Sequence, residues 1–145
     1  MSVLPVRNVA RLVVLDSQHS VLLVRYDDGR PGRPVSYWTT PGGAIESDET
    51  VHEAASRELL EETGFVAPIG RELWERRFEL ELACGRVLQF ERFFLVQLDA
   101  ASPSAVNSSL EDIAEHRWWT LDALNKTSEV LFPKDLASAV GKVLL

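Results

Sequence analysis

Three glutamates lie close together in the segment Arg57-Glu58-Leu59-Leu60-Glu61-Glu62, at a spacing that can bind a metal ion. Glutamates four residues apart on a helix repel each other by roughly 0.2–0.5 kcal/mol, and by more where solvent is reduced. A divalent cation would turn this repulsion into attraction, because hard cations take carboxylate oxygens as ligands. The chemistry that these residue types indicate is therefore metal-assisted.

The acids need a helix to carry them, and the sequence predicts one over about residues 50–62. Thr50 and Glu53 have the spacing of a capping box, in which each side chain accepts a hydrogen bond from the other residue's backbone. Gly64 follows the segment as a residue that readily ends a helix in the left-handed conformation. Between these limits stand the good helix formers Ala54, Ala55, Leu59 and Leu60.

The helix separates the acids into two groups. At 100° per residue, Glu58 and Glu62 fall within about 40° of each other, on a stripe of small apolar residues. We therefore expect both side chains to point toward the protein. Glu61 flanks this pair, and Arg57, four residues before Glu61, can hold its carboxylate in place. The alternative is a solvated acidic helix end, which an isolated Glu-x-x-Glu-Glu pattern would favour.

A Pro41-Gly42-Gly43 turn precedes the helix and ends a predicted strand at residues 37–40. Paired glycines allow the backbone to approach a ligand closely and leave amides and carbonyls available to it. Most such turns are only turns. The turn and the acidic helix together are more specific than either feature.

The segment from Gly43 to Phe65 resembles the signature of the Nudix hydrolase family. The match covers 23 residues, or about 28 with the lead-in from Trp38. The nine specified positions are Gly43, Glu49, Arg57, Glu58, Leu59, Glu61, Glu62, Gly64 and Phe65. The resemblance implies a Nudix-like α/β/α sandwich and hydrolysis of a nucleoside diphosphate linked to another group X.

The resemblance also implies a divalent-cation cofactor, Mg²⁺ or Mn²⁺. In that family, glutamates at the positions of Glu58, Glu61 and Glu62 bind metal or activate water, and the carbonyl at the position of Gly42 often joins them. We expect Glu58 and Glu62 to be the main ligands, because the helical projection places them together. Glu61 is then a further ligand or an acid/base group, and Arg57 supports catalysis by holding the acids.

A further acid is expected from the loop that precedes a late strand, as in many Nudix relatives. Residues 100–110 form a loop of small and polar residues, and Glu111 follows it as a candidate catalytic residue. Glu115 is a second candidate. Its alternative role is to be a polar partner of the Arg-Trp strand that follows it. Glu91 lies in a predicted strand from which it could reach the site.

Substrate phosphates are anionic, so nearby arginines are candidates to bind them. The Gly- and Pro-rich segment 27–34 predicts a loop close to the signature, and Arg25, Arg30 and Arg33 lie in it or next to it. Ordinary solubilising charges are an equal alternative for each arginine.

The rest of the chain predicts an α/β fold. Two strands at 6–16 and 21–26 form a hairpin-like start, and strands at 72–82 and 86–98 form an antiparallel pair. Further elements are a short strand at 117–120, a helical turn at 120–124 and a final helix from Pro133 to about Val143. We expect a mixed, partly antiparallel sheet with the signature helix on one side and the final helix on the other.

Two aromatic residues of the predicted strand at 72–82 are candidates to stack on a nucleobase. Trp74 and Phe78 could do so if they lined the cleft. Packing in the core or on the sheet is the favoured role, because aromatic strand residues usually have it.

Composition indicates one domain spanning residues 1–145, with 46% apolar and 26% charged residues. The net charge of −7 argues against bulk nucleic acid as a partner. A single cysteine, Cys84, fits a reducing compartment, and apolar runs of at most four or five residues predict no membrane segment. We expect a cytoplasmic protein with a small nucleotide-type diphosphate substrate; a homodimer is compatible with the resemblance.

Two other functions are compatible with the same fold. The first is a non-catalytic Nudix-fold module that senses a nucleotide-like metabolite, and the second is an isomerase acting on an isoprenoid diphosphate. The intact acids of the signature favour the enzyme over the sensor, and no additional cysteine-containing motif supports the isomerase. Substrates that remain open include nucleoside triphosphates, oxidised nucleotides, ADP-ribose, dinucleoside polyphosphates and nucleotide sugars.

Overall fold

A computed structural model describes residues 3–27, 36–108 and 112–144. Within these ranges the strands are β1 (Val6–Leu15), β2 (Val21–Asp27), β3 (Ser36–Thr39), β4 (Gly42–Ala44), β5 (Glu72–Leu82), β6 (Gly85–Gln97) and β7 (Ile113–Trp119). The helices are α1 (Val51–Thr63), α2 (Leu121–Lys126) and α3 (Leu136–Leu144). No helix in the described ranges is both long and apolar enough to cross a membrane.

The described strands form one mixed sheet with the order β3-β2-β1-β6-β5, in which β4 pairs with β1 and β7 pairs with β2. The central pair, β1 with β6, is parallel, whereas β5 with β6 and β2 with β3 and β7 are antiparallel. The predicted mixed, partly antiparallel sheet is confirmed. The expected hairpin of β1 and β2 is reduced to one registered pair, Leu15 with Val21, because β1 spends most of its length paired with β4 and β6.

Helices cover the sheet on both sides, because alternate residues of β1 point to opposite faces. On one side, β1 and α1 share a buried cluster that includes Ala10, Leu12, Val14, Ala54, Ala55 and Leu59. On the other side, β1 and α3 share a cluster that includes Val13, Leu15, Trp38, Leu136 and Val140. The α/β/α sandwich with the signature helix and the final helix on opposite sides is therefore confirmed.

Helix α1 begins and ends where its capping residues predict, within one residue. The Thr50 side chain accepts a hydrogen bond from the Glu53 amide, and the Glu53 carboxylate accepts one from the Thr50 amide. Gly64 adopts a left-handed φ of 76° and donates its N–H to the carbonyl of Leu60. Both ends of the acidic helix are thus fixed by local sequence.

Three predicted boundaries were wrong. Gly42–Ala44 is strand β4, not loop, because its pairing with β1 comes from a segment distant in sequence. Strand β7 begins at Ile113, since pairing with β2 extends it before residue 117. Helix α3 begins at Leu136, and the residues from Pro133 to Asp135 form the turn before it.

Candidate active site

The acids of α1 differ in burial as the helical projection predicts. Glu58 is 7% exposed and Glu62 is fully buried, whereas the side chain of Glu61 is 40% exposed. Helix α1 packs its apolar stripe on β1, and this packing carries Glu58 and Glu62 inward with it. The expected inward orientation of this pair is confirmed.

Glu62 is held by three other elements of the fold. Its carboxylate accepts hydrogen bonds from the Gly42 amide at 3.0 Å and from the Tyr26 hydroxyl at 3.5 Å. Its backbone carbonyl accepts a hydrogen bond from Nε2 of His116 at 2.6 Å. Strands β4, β2 and β7 therefore all orient the end of α1 that carries this acid.

Arg57 connects the acids to the loop before the helix. Its Nε and Nη2 donate to the two oxygens of Glu49 at 2.7 and 2.9 Å, in the forked geometry that arginine favours. Its Nη1 donates to Glu58 at 2.8 Å and to Glu61 at 3.2 Å. A further bond of 3.0 Å reaches the carbonyl of Ala44 in β4. This one side chain thus fixes the orientation of acids on both sides of the helix start.

The same contacts shift the pKa values of the partners. The hydrogen bond with Glu49 is the main cause that raises the pKa of Arg57 well above its ordinary value, and Glu58 adds to it. The hydrogen bond with Arg57 correspondingly lowers the pKa of Glu49. Each shift favours the charged form of its group, so the pair stabilises itself as an ion pair.

The two glycines of the turn allow other parts of the fold to approach the backbone of β4 closely. A Cβ atom on Gly43 would lie 2.5 Å from Oε1 of Glu58 and 2.9 Å from its Oε2. A Cβ atom on Gly42, which has a φ of 150°, would lie 2.1 Å from the carbonyl oxygen of Ala10. Gly42 therefore allows β4 to lie close to β1, and Gly43 allows the Glu58 carboxylate to lie against β4.

A second charged network lies on the other side of the turn and was not predicted. Glu91, only 1% exposed, accepts hydrogen bonds from Nε of Arg11 at 3.0 Å, Nη1 of Arg76 at 3.3 Å and Nε2 of Gln89 at 2.9 Å. Nη1 of Arg11 also donates to the carbonyl of Thr40 at 3.3 Å, directly before the Pro-Gly-Gly turn. Glu91 thereby fixes an arginine that supports the turn.

Arg11 also links this network to the acidic helix. Burial by itself would lower the pKa of Arg11, but the negative charges of Glu91 and Glu62 outweigh burial and raise it. A local sequence pattern could not reveal this arginine, because its partners come from β6 and α1.

Of the three arginines predicted to bind substrate, the structure describes only Arg25. Arg25 is bonded to the carboxylates of Asp27 and Glu115 and lies over the Trp38 ring at 5.7 Å. Glu115 also pairs with Arg117, so it lies in this arginine cluster. Arg30, Arg33 and Glu111 lie outside the described residues.

A cavity of about 470 Å³ opens beside Gly42 and Gly43. The ring of Phe132 meets Phe78 at 5.6 Å and Tyr37 at 6.4 Å, both edge to face. All three aromatic residues line the cavity. Phe78 both packs against Phe132 and lines the cavity, so its predicted packing role and a contact with a base stay compatible. Trp74, in contrast, stacks on Phe93 at 4.7 Å in the core.

The donor chemistry of the site fits a hard divalent cation. Glu58 and Glu62 present carboxylate oxygens on one buried face, and Gly43 allows the Glu58 carboxylate to lie directly against the backbone of the turn. Among the described residues, no three histidine, cysteine or acidic side chains are grouped around one ion position. Glu61 bonds to Arg57 at the edge of this group.

The family model of the NUDIX domain matches residues 5–139. The chain belongs to the Nudix family. This Nudix chain is 38% identical over 64 residues to a putative 8-oxo-dGTP diphosphatase of Bacillus subtilis, covering 44% of this chain and 39% of that protein. It is 32% identical over 96 residues to the phosphatase NudJ of Shigella boydii, covering 66% of this chain and 60% of that protein. The chain thus spans between 39% and 60% of the length of these curated relatives.

Solved structures show the same fold at low sequence identity. The MutT protein of Methanosarcina mazei superposes with a TM-score of 0.73 at 19% identity, covering 98% of this chain and 95% of that one. The dihydroneopterin triphosphate pyrophosphohydrolase of E. coli gives a TM-score of 0.70 at 18% identity, covering 93% and 92%. The sandwich described above is therefore the Nudix fold.

Proposed function

We propose that this Nudix chain hydrolyses a phosphoanhydride bond in a nucleoside diphosphate linked to another group X, with Mg²⁺ or Mn²⁺ as cofactor. The observation that carries the proposal is the burial of Glu58 and Glu62 on one face of α1, against the backbone of Gly42 and Gly43. Buried like charges are costly unless a positive charge compensates them. A cation that also binds the substrate's phosphates would supply that charge.

The charges around α1 support this proposal. Four carboxylates lie at the site, and Arg57 and Arg11 are two arginines whose charges act on them. Arg11 is shared with the buried Glu91, which reduces its contribution to the helix acids. A group of carboxylates at this density is the kind of site that a divalent cation favours; its members are Glu49, Glu58, Glu61 and Glu62.

Each residue has a distinct role in the proposed reaction. Glu58 and Glu62 would hold the cation, with the Gly42 carbonyl as a further ligand. A bound divalent cation neutralises diphosphate oxygens and lowers the pKa of the attacking water. Arg57 orients Glu58 through Nη1, while the Gly42 amide and the Tyr26 hydroxyl orient Glu62. This fixed geometry reduces the reorganisation needed during the reaction.

Glu61 is suited to move a proton. Its side chain is partly exposed, so it can contact water, and Arg57 holds one of its oxygens. A carboxylate in this position can act as a general base. Arg30 and Arg33 as phosphate contacts, and Glu111 as an additional acid, remain predictions from sequence.

The proposal is tested by steady-state turnover on a panel of nucleotides with Mg²⁺ or Mn²⁺. The panel includes 8-oxo-dGTP and dihydroneopterin triphosphate, because similar proteins carry these names. Glu58→Gln and Glu62→Gln keep the shape of the side chain and remove its charge. We expect each to lower turnover at least about a hundredfold, the size of lost electrostatic or acid/base assistance.

A matched control is Glu75→Gln, which makes the same substitution on the exposed surface of β5. This variant is expected to keep wild-type turnover. If both Glu58→Gln and Glu62→Gln hydrolyse substrate like wild type at saturating Mg²⁺, the assignment of these acids is wrong.

A non-catalytic sensor of a nucleotide-like metabolite is the second candidate. The observation in its favour is that Arg57 holds both Glu58 and Glu61, and no third acid joins Glu58 and Glu62 around one point in the described ranges. Calorimetric titration separates the two functions. Tight nucleotide binding without a divalent cation, combined with no turnover on the panel, would favour the sensor.

A further inference from the structure

The cavity beside the Pro-Gly-Gly turn has an aromatic wall and a nitrogen-rich floor. Phe78, Phe132 and Tyr37 form the wall, and Arg11 and Gln89 lie in the floor. At about 470 Å³ the cavity is large enough for a ring system with its sugar. It adjoins Gly42, whose amide bonds to Glu62, so a ligand in the cavity would lie next to the acidic helix.

The polar groups of the floor have N–H donors to spare. Gln89 is 2% exposed; its Oε1 accepts from Arg7, and its Nε2 donates one hydrogen bond, to Glu91. Arg11 uses Nε for Glu91 and Nη1 for Thr40. The second amide hydrogen of Gln89 and the Nη2 group of Arg11 have no protein acceptor within residues 3–27, 36–108 and 112–144.

Acceptors in the floor are already engaged. Both oxygens of Glu91 accept hydrogen bonds, which come from Arg11, Arg76 and Gln89. Glu81 also lines the cavity, but it is exposed and pairs with Arg86.

The exposed Lys134 adds a further cation to the lining. The hydroxyls of Thr39 and Tyr37 can both donate and accept. The balance of the cavity is therefore toward donors.

We propose that this cavity binds a planar heteroaromatic ring through the ring's carbonyl oxygens, so that the chain prefers oxo-substituted over amino-substituted bases. Aromatic side chains supply contact area for any flat ring and do not discriminate between bases. The discrimination comes from Arg11 and Gln89, because an amino group placed against these two side chains would meet N–H donors, whereas a carbonyl oxygen would accept from them. This inference rests on the proposed function, since it names the substrate class of that site.

The test compares two pairs of nucleotides that exchange a carbonyl for an amino group. These pairs are inosine with adenosine triphosphate and uridine with cytidine triphosphate. We expect kcat/KM to be at least about tenfold higher for the oxo member of both pairs, because a site that donates hydrogen bonds rejects analogues without the acceptor. A ratio within threefold, or a preference for the amino members, would overturn the inference.

Two variants locate the discrimination in the cavity. Gln89→Met keeps the length of the side chain and removes the amide. We therefore expect kcat/KM to fall for the oxo member of each pair and to stay unchanged for the amino member. Phe78→Leu should raise KM for all four nucleotides without changing either ratio. Thermal unfolding of each variant checks that the fold is kept.

Each variant has a matched control. Gln97→Met lies on the same strand as Gln89 and is exposed, so it should keep both ratios. Phe90 lies outside the cavity, in a groove with Val6 and Arg92, so Phe90→Leu should keep the KM values. If Gln89→Met folds and keeps the wild-type ratio of kcat/KM between oxo and amino members, Gln89 does not discriminate between the bases, and the inference is overturned at this residue.

The inference and the proposed function fail separately. Turnover of both members at equal rates would leave hydrolysis standing and overturn the inference. If no nucleotide is hydrolysed, binding of inosine and adenosine without metal is measured by nuclear magnetic resonance titration. Tighter binding of inosine would then sustain the inference without the hydrolase, whereas equal or absent binding of the two nucleosides would overturn it.

Discussion

Replacing Gly43 with alanine should abolish most of the activity while leaving the fold intact. The new Cβ atom would lie 2.5 Å from Oε1 and 2.7 Å from Cδ of Glu58. An ordinary contact needs about 3.5 Å, so the carboxylate must move by about 1 Å. A displacement of this size at a catalytic group can lower the rate about a hundredfold.

The same geometry predicts a small effect on stability. The clash involves the end of a flexible side chain, and Gly43 has no left-handed φ that an alanine would strain. A glycine-to-alanine change at a compatible position stabilises by roughly 0.4–1 kcal/mol. Weakening one hydrogen bond between Arg57 and Glu58 costs a similar amount. The free energy of unfolding should therefore stay within about 1 kcal/mol of wild type.

The assay measures kcat on the best substrate and the unfolding free energy in urea for three alanine variants. Gly42→Ala should lose more than about 2 kcal/mol of stability, because its Cβ would lie 2.1 Å from a backbone oxygen at a φ of 150°. Gly141→Ala, where the Cβ meets Leu121 at 3.7 Å, should keep full activity. Wild-type kcat in Gly43→Ala would refute the reasoning. So would a loss of activity that is explained by a matching loss of unfolding free energy.

Three further predictions concern groups around the site and the fold that carries it. Arg57→Lys keeps the charge but loses the fork to Glu49, so kcat should fall at least about tenfold with little change in KM; an unchanged kcat would speak against its positioning role. Thr50→Ala removes half of the capping box and should cost about 1 kcal/mol in urea unfolding; a cost near zero would contradict the cap as a stabilising element. Burial would raise the pKa of Asp16, but the amides of Ser102, Ser20 and Gln18 outweigh it and lower the pKa below 3.8. Its stabilising contribution is therefore fully present above about pH 4 and is lost as pH falls through the lowered pKa. Asp16→Asn should be less stable than wild type by about 1–2 kcal/mol at pH 7, and the gap should narrow in acid; a gap independent of pH would contradict this account.

Local patterns were sufficient to predict helix α1 and the orientation of its acids. Thr50, Glu53 and Gly64 act on neighbouring backbone groups, so their effect is visible in a short window. The burial of Glu58 and Glu62 followed from helical periodicity alone. The catalytic and metal-binding roles of these acids remain predictions.

Long-range pairing limited what else the sequence could predict. Gly42–Ala44 has no strand pattern of its own and becomes β4 only through β1. The parallel partner of β1 is β6, more than seventy residues away along the chain, and no nearby turn specifies that pairing. The cavity also depends on contacts between distant segments, because Phe78 of β5 meets Phe132 of the segment before α3.

The hydrogen-bond networks of Arg11 and Arg25 could not be predicted either, because some of their partners are distant in sequence. Arg11 resembles an ordinary polar residue of an alternating strand until Glu91 and Thr40 are placed beside it. Arg25 suggested a phosphate contact by its position in sequence, whereas the structure gives it two carboxylate partners. Glu91 and Glu115 come from strands distant in sequence, so these contacts could not be predicted from a local pattern; Arg25 as a phosphate contact stays a prediction.

The central claim is that Glu58 and Glu62 form a site for a divalent cation. Electron paramagnetic resonance of Mn²⁺, titrated into wild type and into the Glu58→Gln/Glu62→Gln double variant, measures this directly. We expect the signal of free Mn²⁺ to fall in the presence of wild type and to persist with the folded double variant. Equal Mn²⁺ binding by the two proteins, or no binding by wild type, would contradict the claim.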